Sequence, residues 1–278
     1  MTNSRFPCLQ NFGTAPVQWG RIIILNFGLF KKFFTREIRG RFAGSMGGSF
    51  WLLVTPLSHI LIYSFVFGMI LKIRLSHQEV GTDSFVLFLL AGLFPWMAFS
   101  EGLIRCTGIL IENANIITKV VLPIELLPTV GLSGTFFING VGMSFFVIYL
   151  VWAGFISWTW LWLPVLILLF FLFALGLAAF LSALCVFLRD TQQILPIIVF
   201  VWFYLTPIIY PISMIPSKFH SYLYFNPAFP FIELFRQILL RQTMDPVLFC
   251  LAAAWTILSL FLGTFFFERL KHSFADVL

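Results

Sequence analysis

The sequence contains few charged residues: Asp, Glu, Lys and Arg make up 10% of its 278 residues, whereas soluble domains are about one quarter charged. Apolar residues reach 60%, and the mean hydropathy is +0.99. A surface with so little charge is not solvated by water. The scarcity of charge therefore excludes a soluble domain and predicts one integral membrane domain over residues 1–278.

Several chemical signatures are also missing from the sequence. The 4 cysteines include no Cys-x-x-Cys pair, which excludes the usual zinc and redox motifs. No Gly-x-x-x-x-Gly-Lys-Ser/Thr segment occurs, so the chain lacks the usual P-loop for ATP. The apolar runs contain almost no ionisable side chain. His59 is an exception, and we interpret it as a packing residue. We predict no catalytic, cofactor-binding or metal-binding residues and no enzymatic activity.

The net charge of +6 does not indicate a nucleic-acid partner, because the basic residues gather near the N-terminus beside apolar segments. Six spans with both termini in the cytoplasm would place twelve Lys and Arg residues inside and five outside, in agreement with the positive-inside rule. The five outside would be Lys72, Arg74, Lys218, Arg236 and Arg241. The charges therefore predict a multi-pass protein with cytoplasmic termini.

Apolar runs long enough to cross a bilayer, which takes about 20 helical residues, recur along the chain. The stretch from Leu126 to Leu188 contains no charge, and its tryptophan cluster indicates a membrane interface that divides it into two spans. Prolines at 196, 207 and 211 are expected to kink or interrupt the fifth span. Because lipid requires internally paired backbone groups, the predicted fold class is an all-α integral membrane protein. The predicted spans are about 50–71, 85–105, 128–151, 161–187, 193–213 and 247–267.

Three segments are not expected to span. Residues 27–42 separate aromatic from basic side chains on opposite helical faces, which is typical of an amphipathic interface helix. Residues 112–123 are short and polar and form either a connector or a surface for a cytoplasmic partner. Residues 214–242 are rich in proline and aromatics and predict a re-entrant or surface-lying hairpin on the outer side.

Aromatic residues are abundant, with 37 Phe, 9 Trp and 6 Tyr. Most are expected to fill the core or contact lipid. A subset facing a conduit would offer flat surfaces to sugar rings. The candidate channel aromatics are Trp51, Tyr63, Phe67, Trp202, Phe203 and Tyr204.

The order of five motifs resembles the permease subunits of the type 2 class of ABC exporters for O-antigen, teichoic acid and capsular polysaccharide. The motifs are TREIRGRFAGSMGGSFWLLVTP at 35–56, LLAGLFPW at 89–96, ENANIITKVVLP at 112–123, FLRD at 187–190, and Asn226-Pro227 followed by ELFR at 233–236. The resemblance covers nearly the whole chain.

This resemblance implies a homodimer in the bacterial inner membrane with two separate ATP-binding subunits, which would hold ATP and Mg. The conduit would lie between the first and fifth spans, and the substrate would be a polysaccharide linked to undecaprenyl diphosphate. The resemblance also implies an interface helix at 27–42 and outer gate helices at 214–242.

Individual residues take expected roles from the same resemblance. The ATPase-coupling residues would be Glu112, Asn113, Asn115 and Lys119, with a second contact at Arg189 and Asp190. Arg36, Arg39 and Arg41 would meet the substrate phosphates at the cytoplasmic entrance, and Phe231 and Phe235 would belong to the outer gate.

Three alternatives remain open at this point. An ABC permease for a drug or small lipid would share the bundle and the partner. A membrane enzyme acting on polyprenyl-linked glycans should show acidic pairs at a membrane edge. A membrane scaffold would leave the outer hairpin and the polar segment at 112–123 unexplained.

Overall fold

The computed structural model describes residues 15–71, 81–120 and 122–278, apart from the side chains of Ser49 and Ala275. Lys72 and Arg74 of the charge count, and Val121 of the predicted coupling segment, lie outside the described residues. The described part contains helices and no β-strand. Its fold is that of an all-α integral membrane protein.

The helices follow one another with short connections. In chain order they are α1 (Ala15–Leu25), α2 (Phe27–Phe42), α3 (Trp51–Tyr63, continued by a π-helix Ser64–Ile70), α4 (Phe85–Glu112), α5 (Ala114–Lys119), α6 (Leu126–Trp152), α7 (Leu163–Phe187), α8 (Thr191–Leu205), α9 (His220–Leu223), α10 (Phe229–Arg236, continued by a π-helix Gln237–Arg241), α11 (Pro246–Leu270) and α12 (Phe274–Val277). Within the described ranges, 5 helical segments, those built on α3, α4, α6, α7 and α11, are long and apolar enough to cross a membrane.

α8 differs from the predicted fifth span. The span is predicted to reach residue 213, but the α-helix ends at Leu205. Pro207 and Pro211 follow, and proline has no N–H with which to continue the helical hydrogen bonds. With 15 residues, α8 is about 22 Å long, shorter than the hydrocarbon core. The count of six spans therefore stays a prediction.

α4 lies at the centre of the subunit. It is longer than the predicted span, which ends near residue 105, because the helix continues to Glu112. Phe99 of α4 is completely buried and stacks on Phe170 and Phe173 of α7, with ring centroids 5.5 Å apart in each pair. The edge of Trp202 from α8 completes this aromatic cluster at 5.3 Å. The core of the subunit is therefore built around α4.

α7 and α11 pack closely against each other. A Cβ atom at Gly263 would overlap the backbone of Gly176. Small residues allow helix backbones to approach in this way within a membrane. The Ser259 hydroxyl donates to the carbonyl of Phe173 at 2.7 Å, which pairs a polar group that lipid could not satisfy.

α3 lies at the periphery. Pro56 is its one buried residue in the segment Trp51–Tyr63, and a Cβ at Gly142 of α6 would lie 2.6 Å from the Pro56 side chain. The remaining side chains of α3 include several exposed apolar groups, such as Leu57 and Leu61. α8 likewise exposes apolar residues, among them Ile197. Both helices therefore present apolar surfaces that this subunit does not cover.

The two ends of the described chain lie at the same end of the bundle. The Trp19 ring of α1 contacts Phe267 of α11 edge-on at 5.0 Å, and its indole N–H donates to Glu268 at 3.1 Å. We call this end the terminal face and the other end the opposite face. The opposite face carries residues 153–162 between α6 and α7, and Thr159 donates there to the carbonyl of Ile238 at 3.1 Å.

Candidate coupling site and transport surface

The short helix α5 lies on the terminal face between α4 and α6. Its residue Ile117 is buried, whereas its residues Asn115 and Lys119 are exposed. α12 contacts α5 from the side, and Phe274 of α12 is fully buried against Phe267, with ring centroids 5.3 Å apart. α5 therefore has one side fixed to the protein and one polar side open.

Ion pairs connect the beginning of α5 to α2 and α4. Arg105 donates to both carboxylate oxygens of Glu37, at 2.7 and 3.0 Å, and to Glu112 at 2.6 Å. Arg36 donates to the side-chain oxygen of Asn113 at 2.8 Å. A bidentate guanidinium–carboxylate pair is strong and directional. The interface helix α2 is therefore held to the residues that precede α5.

Glu37 is the centre of this network. Arg41 also donates to Glu37, at 3.5 Å, and to the hydroxyl of Thr135 in α6. Burial disfavours the charged carboxylate, but the hydrogen bonds and charges of Arg105 and Arg41 outweigh it and lower the pKa of Glu37 below its ordinary value of 4.5. Glu37 is therefore ionised at neutral pH.

A second set of ion pairs fixes the segment after α5. Glu125, which precedes α6, is buried and pairs with Lys271 at 2.9 Å. Lys271 also pairs with Glu268, the acceptor of the Trp19 indole N–H. The segment before α5 is thus held by α2, and the segment after it is held by the residue that follows α11.

The residues predicted to contact an ATPase lie on the terminal face in two places. Glu112 and Asn113 belong to the network at the beginning of α5, while Asn115 and Lys119 are exposed. Arg189 and Asp190 are exposed in the turn between α7 and α8. Gln192 follows that turn and packs against Gly108 of α4, where a Cβ atom would overlap its amide. Their contact with an ATPase stays a prediction.

The sequence analysis did not single out Glu37, Arg105, Glu125 or Lys271. One signal was present for the first two, because Glu37 is an acid on a strongly basic helix and Arg105 follows an apolar run. The partners are 68 and 146 positions apart in the chain, so the pairing itself requires the fold.

The three arginines expected to meet phosphate differ in their surroundings. Arg36 and Arg41 already donate to protein side chains, whereas Arg39 is exposed. A cavity of about 420 Å³ is lined by Arg36, Glu37, Gly40, Arg41, Arg105, Glu112 and Asn113. Its carboxylates neutralise much of its positive charge, so Arg39 is the arginine most available to an anion.

The six candidate channel aromatics fall into three pairs by their surroundings. Trp51 is 47% exposed and Tyr204 is 49% exposed. Tyr63 and Phe67 are half-buried in a row of rings with His59 and Phe85. Trp202 and Phe203 both contact Trp96 of α4 at 5.9 Å. Trp51 and Tyr204 are thus the most open to a ligand.

Phe231 and Phe235, expected in the outer gate, pack into the subunit's own core. The Phe231 ring lies 4.9 Å from Phe173 and 5.0 Å from Phe170, and Phe235 lies 5.9 Å from Phe170. Any part they have in a gate would come from the placement of α10, since their side chains are buried. That role stays a prediction.

Known proteins resemble this chain over most of its length. A family model described as "ABC-2 type transporter" matches residues 28–240. The O-antigen export system permease protein RfbA of Klebsiella pneumoniae is 28% identical over 248 residues, covering 87% of this chain and 92% of the relative. RfbA of Myxococcus xanthus is 27% identical over 255 residues, covering 90% and 95%.

The polysialic acid transport protein KpsM of Escherichia coli is 28% identical over 235 residues, which is 83% of this chain and 88% of KpsM. The family match begins in α2 and ends in the π-helix that continues α10, so it includes α5 and the ion pairs before it. The multi-pass membrane fold agrees with this match. The chain belongs to the ABC-2 type transporter family.

Proposed function

We propose that this chain is the membrane subunit of an ATP-driven exporter that carries an undecaprenyl-diphosphate-linked polysaccharide of the O-antigen type across the bacterial inner membrane. The names of its relatives support the substrate class. The observation that carries the mechanism is α5, a short helix with exposed polar side chains, whose flanking segments are held by ion pairs.

This arrangement would transmit force from a partner. A push on Asn115 and Lys119 would reach α2 and α4 through Glu37–Arg105, and α6 and α11 through Glu125–Lys271. Charged hydrogen bonds between packed helices make such a connection stiff. Movement of α5 would therefore change the positions of several spans together.

The partners of this face would be two ATP-binding subunits that hold ATP and Mg. The sequence has no P-loop of its own. Orienting the terminal face toward the cytoplasm would place α5, Arg189 and Asp190 where such subunits bind, with both termini on the cytoplasmic side.

The conduit would form between this chain and a second copy of itself. α3 and α8 have apolar faces that the subunit leaves uncovered, and the copy would cover part of them while lipids cover the rest. Trp51 and Tyr204 would offer ring faces to sugars, and Arg39 would meet the carrier phosphates at the entrance. Flat aromatic contacts allow a polymer to slide because no single deep site holds it.

The deciding experiment is deletion of the gene in its native host, with complementation by the wild-type chain or by Lys119→Glu. Surface glycan and cytoplasmic lipid-linked glycan are measured on gels. We expect loss of the surface polymer with accumulation of the linked polymer inside, rescued by the wild type and poorly by Lys119→Glu. An unchanged surface with altered drug or lipid tolerance would overturn polysaccharide export and favour a small-molecule permease.

A further inference from the structure

α8 ends in a way that leaves backbone groups without helical partners. Its last residue is Leu205, and prolines at 207 and 211 interrupt the donors that would continue the helix. The carbonyl groups of the last turns then need other donors, because an unpaired carbonyl in an apolar environment is costly. Thr206 donates to the carbonyl of Trp202, and the hydroxyl of Tyr210 donates to the carbonyl of Tyr204. Two side chains of the segment that follows, Arg236 and Asn226, donate to the carbonyls of Leu205, Pro207 and Ile208.

Arg236 of α10 is the first donor. Its side chain is 1% exposed, and its two terminal nitrogens donate to the carbonyls of Pro207 and Ile208 at 2.5 Å each. Its Nε donates to the carbonyl of Phe88 in α4 at 3.3 Å. The guanidinium also lies 3.6 Å from the centre of the Phe88 ring, a cation–π contact. One side chain thus joins α4, α10 and the residues after α8.

Gly92 of α4 makes room for this guanidinium. A Cβ atom at position 92 would lie 2.8 Å from a terminal nitrogen of Arg236. A methyl group there would push the guanidinium away from the carbonyls it binds. Gly92 therefore belongs to the same site, although it lies more than one hundred residues earlier in the sequence.

Asn226 is the second donor, on the other side of the break. Its amide nitrogen donates to the hydroxyl of Thr206 at 2.9 Å and to the carbonyl of Leu205 at 3.4 Å. Its amide oxygen accepts the indole N–H of Trp202 at 2.8 Å. Asn226 thereby fixes both the end of α8 and the orientation of an aromatic side chain on it.

We propose that Arg236 and Asn226 are positioning residues for transport, which fix the interrupted end of α8, with Trp202 and Tyr204, to α4 and α10. The outer end of the transport path then changes shape only when α10 and the end of α8 move together. Both residues belong to the motif at 226–236, and the sequence analysis gives neither of them a role in transport. Only the transport part of this inference rests on the proposed export function; the structural part does not.

Arginine is specifically required for this arrangement. Its planar fork matches two adjacent carbonyls, whereas lysine keeps the charge but offers a single ammonium group without the fork geometry. Arg236→Lys is therefore the informative substitution. Gly92→Ala perturbs the same contact from α4, and Gly140→Ala in α6 is the matched control, since nothing lies within 4 Å of a Cβ there.

The first readout does not depend on the substrate. The labelled residue is the cysteine of Tyr204→Cys, and a membrane-impermeant maleimide is added from outside. Cys8→Ser and Cys250→Ser remove two other thiols, while Cys106 and Cys185 stay because they are buried. We expect Arg236→Lys and Gly92→Ala to raise the labelling rate about tenfold, the equivalent of one charge-assisted hydrogen bond. Gly140→Ala should leave the rate unchanged.

The second readout is export in the complemented deletion strain, beside ATP hydrolysis by the purified complex. We expect Arg236→Lys to export about tenfold less while ATP hydrolysis continues. Unchanged labelling in folded Arg236→Lys and Gly92→Ala would overturn the proposal. So would failure of both variants to accumulate beside normal Gly140→Ala, because the residue would then serve folding. Changed labelling in a strain whose wild type exports no polymer would uphold the positioning role and reject the proposed substrate.

Discussion

α3 and α4 are both apolar helical segments of membrane length, but they occupy opposite places in the subunit. Their most apolar windows have mean hydropathies of 1.8 and 1.7, whereas 6% of the first and 78% of the second is buried. Hydropathy therefore identifies a span without saying whether protein or lipid surrounds it. The difference must come from the shapes and the polar groups of the two helices.

α4 carries the features that allow close packing. Gly92, Gly102 and Gly108 each face a neighbouring side chain that a Cβ would crowd, so other helices approach α4 at these points. In lipid, helix association depends on such packing and on hydrogen bonds between helices. α4 also has an arginine contact near each end, its own Arg105 with Glu37 and the incoming Arg236 on Phe88. These features fix it at the centre.

The largest expected effect is in the core of α4. Leu103 is 1% exposed, and Leu103→Ala removes packing contacts on all sides of the side chain. We expect a loss of about 2–4 kcal/mol in the free energy of unfolding. Thermal unfolding of the purified protein in detergent measures it. A loss below about 0.5 kcal/mol would contradict the central place of α4.

The next effect tests the connection between α4 and α2. Glu37→Arg or Arg105→Glu alone places like charges opposite each other and should cost about 1–3 kcal/mol. The double variant exchanges the two charges and should recover part of the loss. Unfolding and ATP-dependent export are measured for all four proteins. Simple addition of the two losses would show that the pair does not couple α2 to α4.

A smaller effect follows from the pKa of Glu37. Because that pKa is lower in the folded protein than its ordinary 4.5, the ionised pair stabilises the fold fully above about pH 4.5 and progressively less as the pH falls through the folded pKa. The difference in melting temperature between the wild type and Glu37→Gln should be constant near neutral pH and shrink in acid. A difference that stays constant down to the most acidic pH tolerated would contradict this linkage.

The sequence predicted features that depend on nearby residues. The sequence predicts a helix at 27–42, the bounds of α2, because its two faces differ in polarity every three to four residues; its position at a membrane interface stays a prediction. The apolar run from Leu126 to Leu188 is too long for one span and predicts a turn near its tryptophans, and α6 ends at Trp152 while α7 begins at Leu163. The all-α membrane fold follows from composition and from the need to pair the backbone in lipid.

Features that depend on distant residues were missed or misplaced. α1 was not predicted, since its attachment to α11 through Trp19 and Glu268 spans 249 positions. Arg236 is counted among the charges on the outer side, which stays a prediction; its burial, which the charge count does not reveal, depends on carbonyl acceptors after the end of α8. The end of the fifth helix is a local exception: the prolines predict an interruption, but the predicted span follows the apolar residues to 213, whereas the helix ends at Leu205.

The smallest effect on stability is expected on α3, where the same leucine-to-alanine change meets a different environment. Leu61 is 69% exposed, so Leu61→Ala should change the free energy of unfolding by no more than about 0.5 kcal/mol. Its surface still needs a neighbour, either lipid or a second copy. Leu61→Cys should therefore form a disulfide-linked dimer when native membranes are oxidised, because the proposed conduit places α3 beside the partner.

The control for this cross-link is Leu168→Cys on α7, which is 57% exposed and should face lipid. A disulfide through position 168 and none through position 61 would contradict the proposed dimer. In that case the exposed face of α3 would be a lipid-facing surface, and the conduit would have to be sought elsewhere. Cross-linking at position 61 alone would explain why an apolar helix of this length is left uncovered by its own subunit.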